Sequence, residues 1–350
     1  YYQAIKGHAR LVVGRKGCGK TAVFYGVRDS LGNRHTHLIL DLKPEGHQFT
    51  RLREVMLDKL SPGFQEHTLT AFWNTILLAE LAHKIMTSDE HLAYRDAELY
   101  DKYQEVVSFY RESWLADEGD FSERLLSQVE RVATEAEALK NTNELSKLTE
   151  TLFKGDIKKL SDAVASYLEH KSEVWLLVDN LDKSWPVRGA SSQDILILRT
   201  LLDATRKLQQ ELEKRHVSFH CLVFLRNDIF EHLLRETSDK GKDTEIALDW
   251  SDPQLFREMF RLRGLASGLL ENGNFDELWG AIITPNAGTQ HSFTYILDRT
   301  LMRPRDFLMF VQRAIEVAIN RGHAKVGEDD LVQAEKLYSN DMLKSTAAEL

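Results

Sequence analysis

Eight residues near the start of the chain, Gly14-Arg15-Lys16-Gly17-Cys18-Gly19-Lys20-Thr21, constrain its fold more than any other stretch. Glycine, four free positions, glycine, lysine and a hydroxyl residue form the pattern of a phosphate-binding loop, matched here at every fixed position. Glycines let the backbone turn so tightly that successive N–H groups face inward. A lysine at this place reaches the β and γ oxygens of a nucleotide, and the hydroxyl ligates Mg²⁺. So short a pattern needs context: the apolar run Leu11-Val12-Val13 before it reads as a strand, and Thr21 to about Leu31 as a helix whose positive N-terminal end faces the anion. The expected cradle is Gly14, Arg15, Lys16, Gly17, Cys18, Gly19, Lys20, Thr21 and Ala22, with ATP as ligand and Mg²⁺ on Thr21. Cys18 has two readings, a small side chain that fits the loop or a thiol made reactive by the helix N-terminus beside it.

A chain of 350 residues, 43% of them hydrophobic, can bury a sizeable core in two or three domains. No apolar run approaches the roughly 20 residues that span a bilayer, so no membrane partner is expected. The two cysteines, Cys18 and Cys221, sit in no metal-ligand spacing, and a reduced, cytoplasmic setting is expected. The chain opens Tyr-Tyr-Gln without methionine or signal peptide, which reads as a fragment or a processed chain. Net charge is −9, and the whole imbalance falls within residues 88–150, where 16 Asp and Glu stand against 7 Lys and Arg. A face so acidic repels nucleic-acid phosphates; it is either a solvated helical surface or an acidic docking surface.

Further strand-like runs are His37 to Leu42, Val174 to Asp179 and Phe219 to Leu225, with Glu245 to Trp250 a weaker one. Separated by helical stretches, they suit a parallel sheet buried on both faces. The expected fold is therefore α/β: a P-loop NTPase-type parallel sheet from residues 1–60 and 171–250, a helical insertion over 61–170, and an all-helical lid over 251–350. In the insertion, Phe72, Ile76, Ala79 and His83 share one helical stripe and Leu125, Val129, Val132 and Ala136 another. The stretch Glu130 to Leu160, free of proline, suggests a long helical hairpin. In the lid, Pro253 can open a helix, Asn272-Gly273-Asn274 turns the chain, and Phe275 to Ile283 and Phe293 to Leu301 read as short helices. Arg305 to Asn320 is amphipathic and stops at Gly322, and a last helix begins near Glu328.

Asp179 ends its strand where a carboxylate can complete the shell of a hard cation, which takes oxygen ligands. Many ATPases carry a glutamate at the next position, here Asn180. An amide cannot accept a proton from water, so either Asp182 serves as base or hydrolysis is slow; Asp182 is favoured, a turn or N-cap aspartate being its structural alternative. Arg226 and Asn227 follow the next buried run, at the sheet edge where ligands bind in open α/β folds, and either can sense a γ-phosphate. An ion pair of Arg226 with Asp228 or Glu231 is the competing reading. Arg303 and Arg305 flank Pro304 at a helix start, where cations oppose the dipole, and one of them reaching a phosphate would explain the placement. Arg235, Arg257, Arg261 and Arg263 are candidates for a finger into a neighbouring subunit's nucleotide.

Taken together, Gly14 to Thr21, Val178-Asp179-Asn180-Leu181-Asp182, Phe224-Leu225-Arg226-Asn227-Asp228 and Met302-Arg303-Pro304-Arg305-Asp306 resemble the STAND and KAP group of P-loop ATPases. The lid arginine motif is also similar to that of origin-recognition ATPases. The resemblance implies an AAA-like core in which two aspartates three positions apart serve the Mg²⁺ site, a pattern that Asp179 and Asp182 match. It further implies a signalling switch, often in bacterial defence against phage, in which the ATPase module oligomerises and controls an attached effector. The leading expectation is an ATP-binding, slowly hydrolysing regulatory switch that forms a homo-oligomer and acts on an effector domain or partner protein. Two other classes stay open: a nucleic-acid-binding loader or remodeller, for which residues 251–350 offer no basic stripe, and a nucleotide-binding scaffold or kinase-like phosphotransferase.

Overall fold

The computed structural model describes residues 2–32, 35–57, 62–141, 155–181, 191–236, 244–269 and 273–347. The chain forms two compact units: Tyr1–Val13 with Thr21–Ala247, and Gly14–Lys20 with Leu248–Leu350.

The first unit is α/β. Its strands are β1 (Leu11–Gly14), β2 (His37–Leu42), β3 (Glu173–Val178), β4 (Phe219–Arg226) and β5 (Glu245–Leu248), in the order β2-β3-β4-β1-β5. β2, β3 and β4 run parallel, with Leu40 opposite Leu176 and Leu176 opposite Cys221. The Val223 N–H donates to the Arg10 carbonyl and brings β1 beside β4; the Arg10 and Leu11 N–H groups donate to the Thr244 carbonyl and bring β5 to its other side. β3 and β4 are buried at nearly every position, as strands covered on both faces must be, whereas edge strand β2 alternates buried and half-buried. Parallel pairing orients the ends of β2, β3 and β4 alike, so Asp179 and Arg226 emerge from one sheet edge.

The helical stretch between β2 and β3 shares a single hydrophobic core with the sheet. Its central element, Pro62–Ser88, differs from the one-sided apolar stripe that Phe72, Ile76, Ala79 and His83 suggested. Between Thr68 and Ala82 every residue but Asn74 is buried, so this middle part of the helix is enclosed all round. The sequence hides this because several buried positions are polar. Thr70 and Thr75 donate their hydroxyls to the carbonyls of Glu66 and Ala71, one turn back, and so need no water. Around this helix lie Ala97–Glu112, Phe121–Asn141 and Gly155–Leu168. The turn of the expected hairpin over Glu130 to Leu160 falls outside the described residues.

In the second unit, the helices Pro253–Ala266, Phe275–Ile282, Ser292–Arg299, Pro304–Asn320 and Glu328–Ala347 enclose an aromatic core. Phe307 stands at its centre, with the rings of Phe256, Phe293, Trp279 and Phe260 at centroid distances of 5.4, 5.7, 6.1 and 6.3 Å. Local chemistry sets the helix starts. Asp252 accepts from the Gln254 N–H with Pro253 in the first turn, and Asn274 and Glu277 form a reciprocal capping box. The helix expected to reach Leu301 ends at Arg299, and Leu301 and Met302 both take left-handed conformations at φ 52°. Pro304 disfavours helical geometry at Arg303, so the chain must leave one helix before entering the next. A short pairing of Asn286–Ala287 with Gln290–His291, turned at Gly288, escaped the sequence pattern because two-residue strands carry no periodicity. Among the described residues, no helix is long and apolar enough to cross a membrane.

Candidate functional site

The loop Gly14–Lys20 packs with the C-terminal unit. Gly17 and Gly19 have φ of 82° and 95°, a region that costs an L-residue roughly 1–2 kcal/mol. Crowding adds a second requirement for glycine. A Cβ on Gly14 would lie 2.4 Å from the Cys18 sulfur, and one on Gly17 would lie 3.2 Å from the Arg305 Cβ. A Cβ on Gly19 would meet nothing within 4 Å, so one side of the loop is open.

Hydrogen bonds occupy the carbonyls of this loop. Lys20 folds its ammonium back to donate to Gly14 and Arg15 at 2.9 and 3.1 Å, and the Cys18 N–H also donates to Arg15. The backbone N–H of Arg305 donates to the Gly17 carbonyl at 3.3 Å, and the indole N–H of Trp250 donates to the Cys18 carbonyl at 2.8 Å. Arg15 and Lys16 are exposed beside them. Cys18 is buried, and burial pushes its thiol pKa up, against the pull of Lys20 and Arg305. Burial and the raised thiol pKa favour, of the two readings, Cys18 as a small side chain that fits the loop.

In the first unit, Thr21 is the second residue of the helix Lys20–Leu31, with Ala22 exposed next to it. The Thr21 hydroxyl donates to the Asp179 carboxylate at 3.0 Å, joining positions 158 residues apart in sequence. Asp179 is 3% exposed and lies one residue beyond β3, where its N–H donates to the Leu42 carbonyl. A hydroxyl and a carboxylate oxygen at this spacing form a donor set suited to a hard divalent cation. Asn180, where a glutamate was looked for, takes φ 66°, a left-handed conformation in which Asn is several-fold enriched. Asp182 lies outside the described residues.

Arg226, the last residue of β4, grips Asp228 through two hydrogen bonds of 3.1 and 2.7 Å, and Asn227 begins the next helix with its side chain exposed. The ion pair weighed in the sequence is therefore formed with Asp228, while Glu231 pairs with Arg235.

The two arginines at the start of the helix Pro304–Asn320 part company. Arg303 is its N-cap and faces Asp306 at 3.8 Å, an acid in the first turn that offsets a cation at the positive helix end. Arg305 lies exposed against Gly17, its backbone bonded to the loop. Of the proposed fingers, Arg257 holds Asp276 and lies over the Phe275 and Phe293 rings, Arg261 holds Glu258 and Arg235 holds Glu231. Arg263 is exposed, with no ion pair among the described residues. The residue that sequence reasoning missed is Trp250, whose indole bond to Cys18 spans 232 positions and leaves no periodic trace.

Two comparisons bear on the chain. Residues 254–347 match a family model described as the FunZ-associated C-terminal helical domain. Over 335 residues the chain is 24% identical to a protein named "Putative transposon gamma-delta 80.3 kDa protein" from Escherichia coli (strain K12), an alignment covering 94% of this chain and 45% of that protein. The chain thus spans about half the length of the curated relative it matches.

Proposed function

We propose that this protein is an ATP-binding and ATP-hydrolysing regulatory switch of the P-loop class. The observation that carries this reading is the Thr21–Asp179 hydrogen bond: the hydroxyl after the loop lysine meets the acid that ends a buried strand. The residues fit a nucleotide with its cation. Loop N–H groups and the Lys20 ammonium would hold the polyphosphate, Thr21 and Asp179 would hold Mg²⁺, and the glycines leave the open side that a phosphate needs. Bound Mg²⁺ would supply charge neutralisation at the phosphoryl oxygens. Asp182 is the candidate base for the attacking water, and Arg226 and Asn227 are candidates for sensing the γ-phosphate once Arg226 exchanges Asp228 for it. Arg305 is the better placed of the two lid arginines to report phosphate occupancy, since its backbone is already bonded to the loop. Control of a homo-oligomer and of an effector, including a role in defence, extends this reading by resemblance to the STAND and KAP group.

Calorimetric titration with ATP and ADP in magnesium buffer tests it, with phosphate release and mass measured in parallel. We expect the native protein to bind both nucleotides and Lys20→Ala to lose at least tenfold in affinity, about 1.4 kcal/mol. Equal affinity in the native protein and Lys20→Ala, or no binding by either, refutes the assignment.

A further inference from the structure

Trp250 stands two residues beyond β5 and four before the matched helical domain, and no motif in the sequence marks it. Its indole is half-buried and packs edge-to-face on Phe256 at 5.1 Å, while its N–H bonds the Cys18 carbonyl at 2.8 Å, a good geometry for a neutral donor. The consequence follows from the peptide plane. In a trans peptide the carbonyl of one residue and the N–H of the next point in opposite directions, so whatever holds the Cys18 carbonyl aims the Gly19 N–H the other way. The neighbouring peptide is held in the same manner, because the Arg305 N–H bonds the Gly17 carbonyl.

Gly19 is the residue least able to hold this orientation alone. Its φ of 95° is available only to a residue without a side chain, and the same freedom lets the peptide flip when nothing restrains it. Gly19 also borders the open side of the loop, where an added Cβ would meet no atom within 4 Å. We infer that Trp250 is a positioning residue for polyphosphate: by anchoring the Cys18 carbonyl from outside, it keeps the Gly19 N–H turned into the loop as a phosphate donor. The inference deepens the nucleotide-binding reading and depends on it. It places part of the phosphate-binding apparatus on a side chain that precedes the helical domain, and it adds a residue to the site without giving it contact with the ligand.

Two variants separate this role from packing. Trp250→Phe removes the donor and shortens the ring. Replacement of Trp250 by its benzothienyl isostere keeps the outline of the indole, and with it the fold, and removes only the N–H. ADP and inorganic pyrophosphate are titrated into each protein in magnesium buffer, alongside a thermal melt. A neutral hydrogen bond contributes about 0.5–1.5 kcal/mol, so both variants should bind ADP about 2- to 12-fold more weakly than the native protein. Pyrophosphate, which has no base or ribose, should weaken by the same factor, and the isostere should melt where the native protein does. If the isostere binds both ligands as the native protein does, the inference is overturned while the nucleotide assignment stands. If ADP weakens and pyrophosphate does not, Trp250 acts elsewhere than on phosphate, and the inference is again overturned. Failure of the native protein to bind either ligand would sink the nucleotide reading itself.

Discussion

Replacing Arg124 by methionine should destabilise the α/β unit strongly at neutral pH and weakly in mild acid. Arg124 and Glu80 meet inside the helical layer through paired hydrogen bonds of 2.8 and 2.5 Å, with side chains only 8% and 5% exposed. A third bond from Arg124 satisfies the Gly119 carbonyl. Such a pair offers little net stability over an apolar one, but deleting one partner strands a buried charge and typically costs about 3–5 kcal/mol, a large share of the 5–15 kcal/mol that holds a protein folded. Burial pushes the Glu80 carboxyl up even with Arg124 pulling it down, and without the guanidinium it rises further. A carboxyl whose pKa is higher folded than unfolded favours the folded state in acid, and that contribution is lost as pH rises through the folded value. The penalty of Arg124→Met should therefore be fullest at neutral pH and shrink on acidification, as Glu80 takes up a proton in the core. Urea unfolding followed by the fluorescence of Trp73, seven residues before Glu80, and Trp114, ten before Arg124, reads this directly. The double change Glu80→Leu with Arg124→Met should recover most of the loss at both pH values. A cost below about 1 kcal/mol at neutral pH, or one that grows on acidification, would refute the reasoning.

Arg305→Ala keeps the backbone bond to Gly17 and removes the guanidinium beside the loop, so it should weaken ATP more than ADP, by about tenfold for one charge-assisted contact; equal weakening of both in calorimetry would count against a γ-phosphate role. Asp330 is fully buried and accepts from His323, the Gly327 N–H and Arg321 at 2.8, 2.9 and 3.1 Å. Burial alone would raise its pKa, yet these three donors carry it below the usual carboxylate range, so its stabilisation is present above that range and lost as pH falls through the lowered value. Asp330→Asn should cost the C-terminal unit about 2–3 kcal/mol and flatten the acid limb of its melting curve; an unchanged acid limb would show that the carboxylate charge is not what these donors hold.

The sheet was legible because its strands are short, apolar and bounded by helical stretches, and the ends of β3 and β4 fall within a residue or so of the expected runs. The loop was legible because close packing and left-handed backbone both demand glycine, a demand visible in one dimension. Contacts between distant side chains were not. Thr70 and Thr75 made a fully enclosed stretch of helix look half-solvated, and nothing in the sequence pairs Glu80 with Arg124. Arg303 and Arg305 looked equivalent until the restriction that proline places on its predecessor made Arg303 the cap and left Arg305 as the residue whose N–H reaches Gly17. Asn180, where a glutamate was looked for, occupies a left-handed backbone position in which Asn is one of the enriched residues.

On the nucleotide reading, the loop Gly14–Lys20 works only if its N–H groups stay turned inward, which requires its carbonyls to find partners outside. Here Lys20 takes those of Gly14 and Arg15, while those of Gly17 and Cys18 are taken by Arg305 and Trp250. The first two partnerships are local and travel with the motif; the second two come from positions more than 230 residues later in the chain. One of those two donors, Arg305, falls inside the matched helical domain and the other just before it, so that domain and its connector together complete the outer face of the loop. An arrangement of this kind couples the shape of the loop to the folding of the C-terminal unit without any change in the motif itself. On the nucleotide reading, the same coupling runs in reverse: polyphosphate that selects inward N–H groups also favours the C-terminal contacts that keep them so, which is the reciprocity a switch requires.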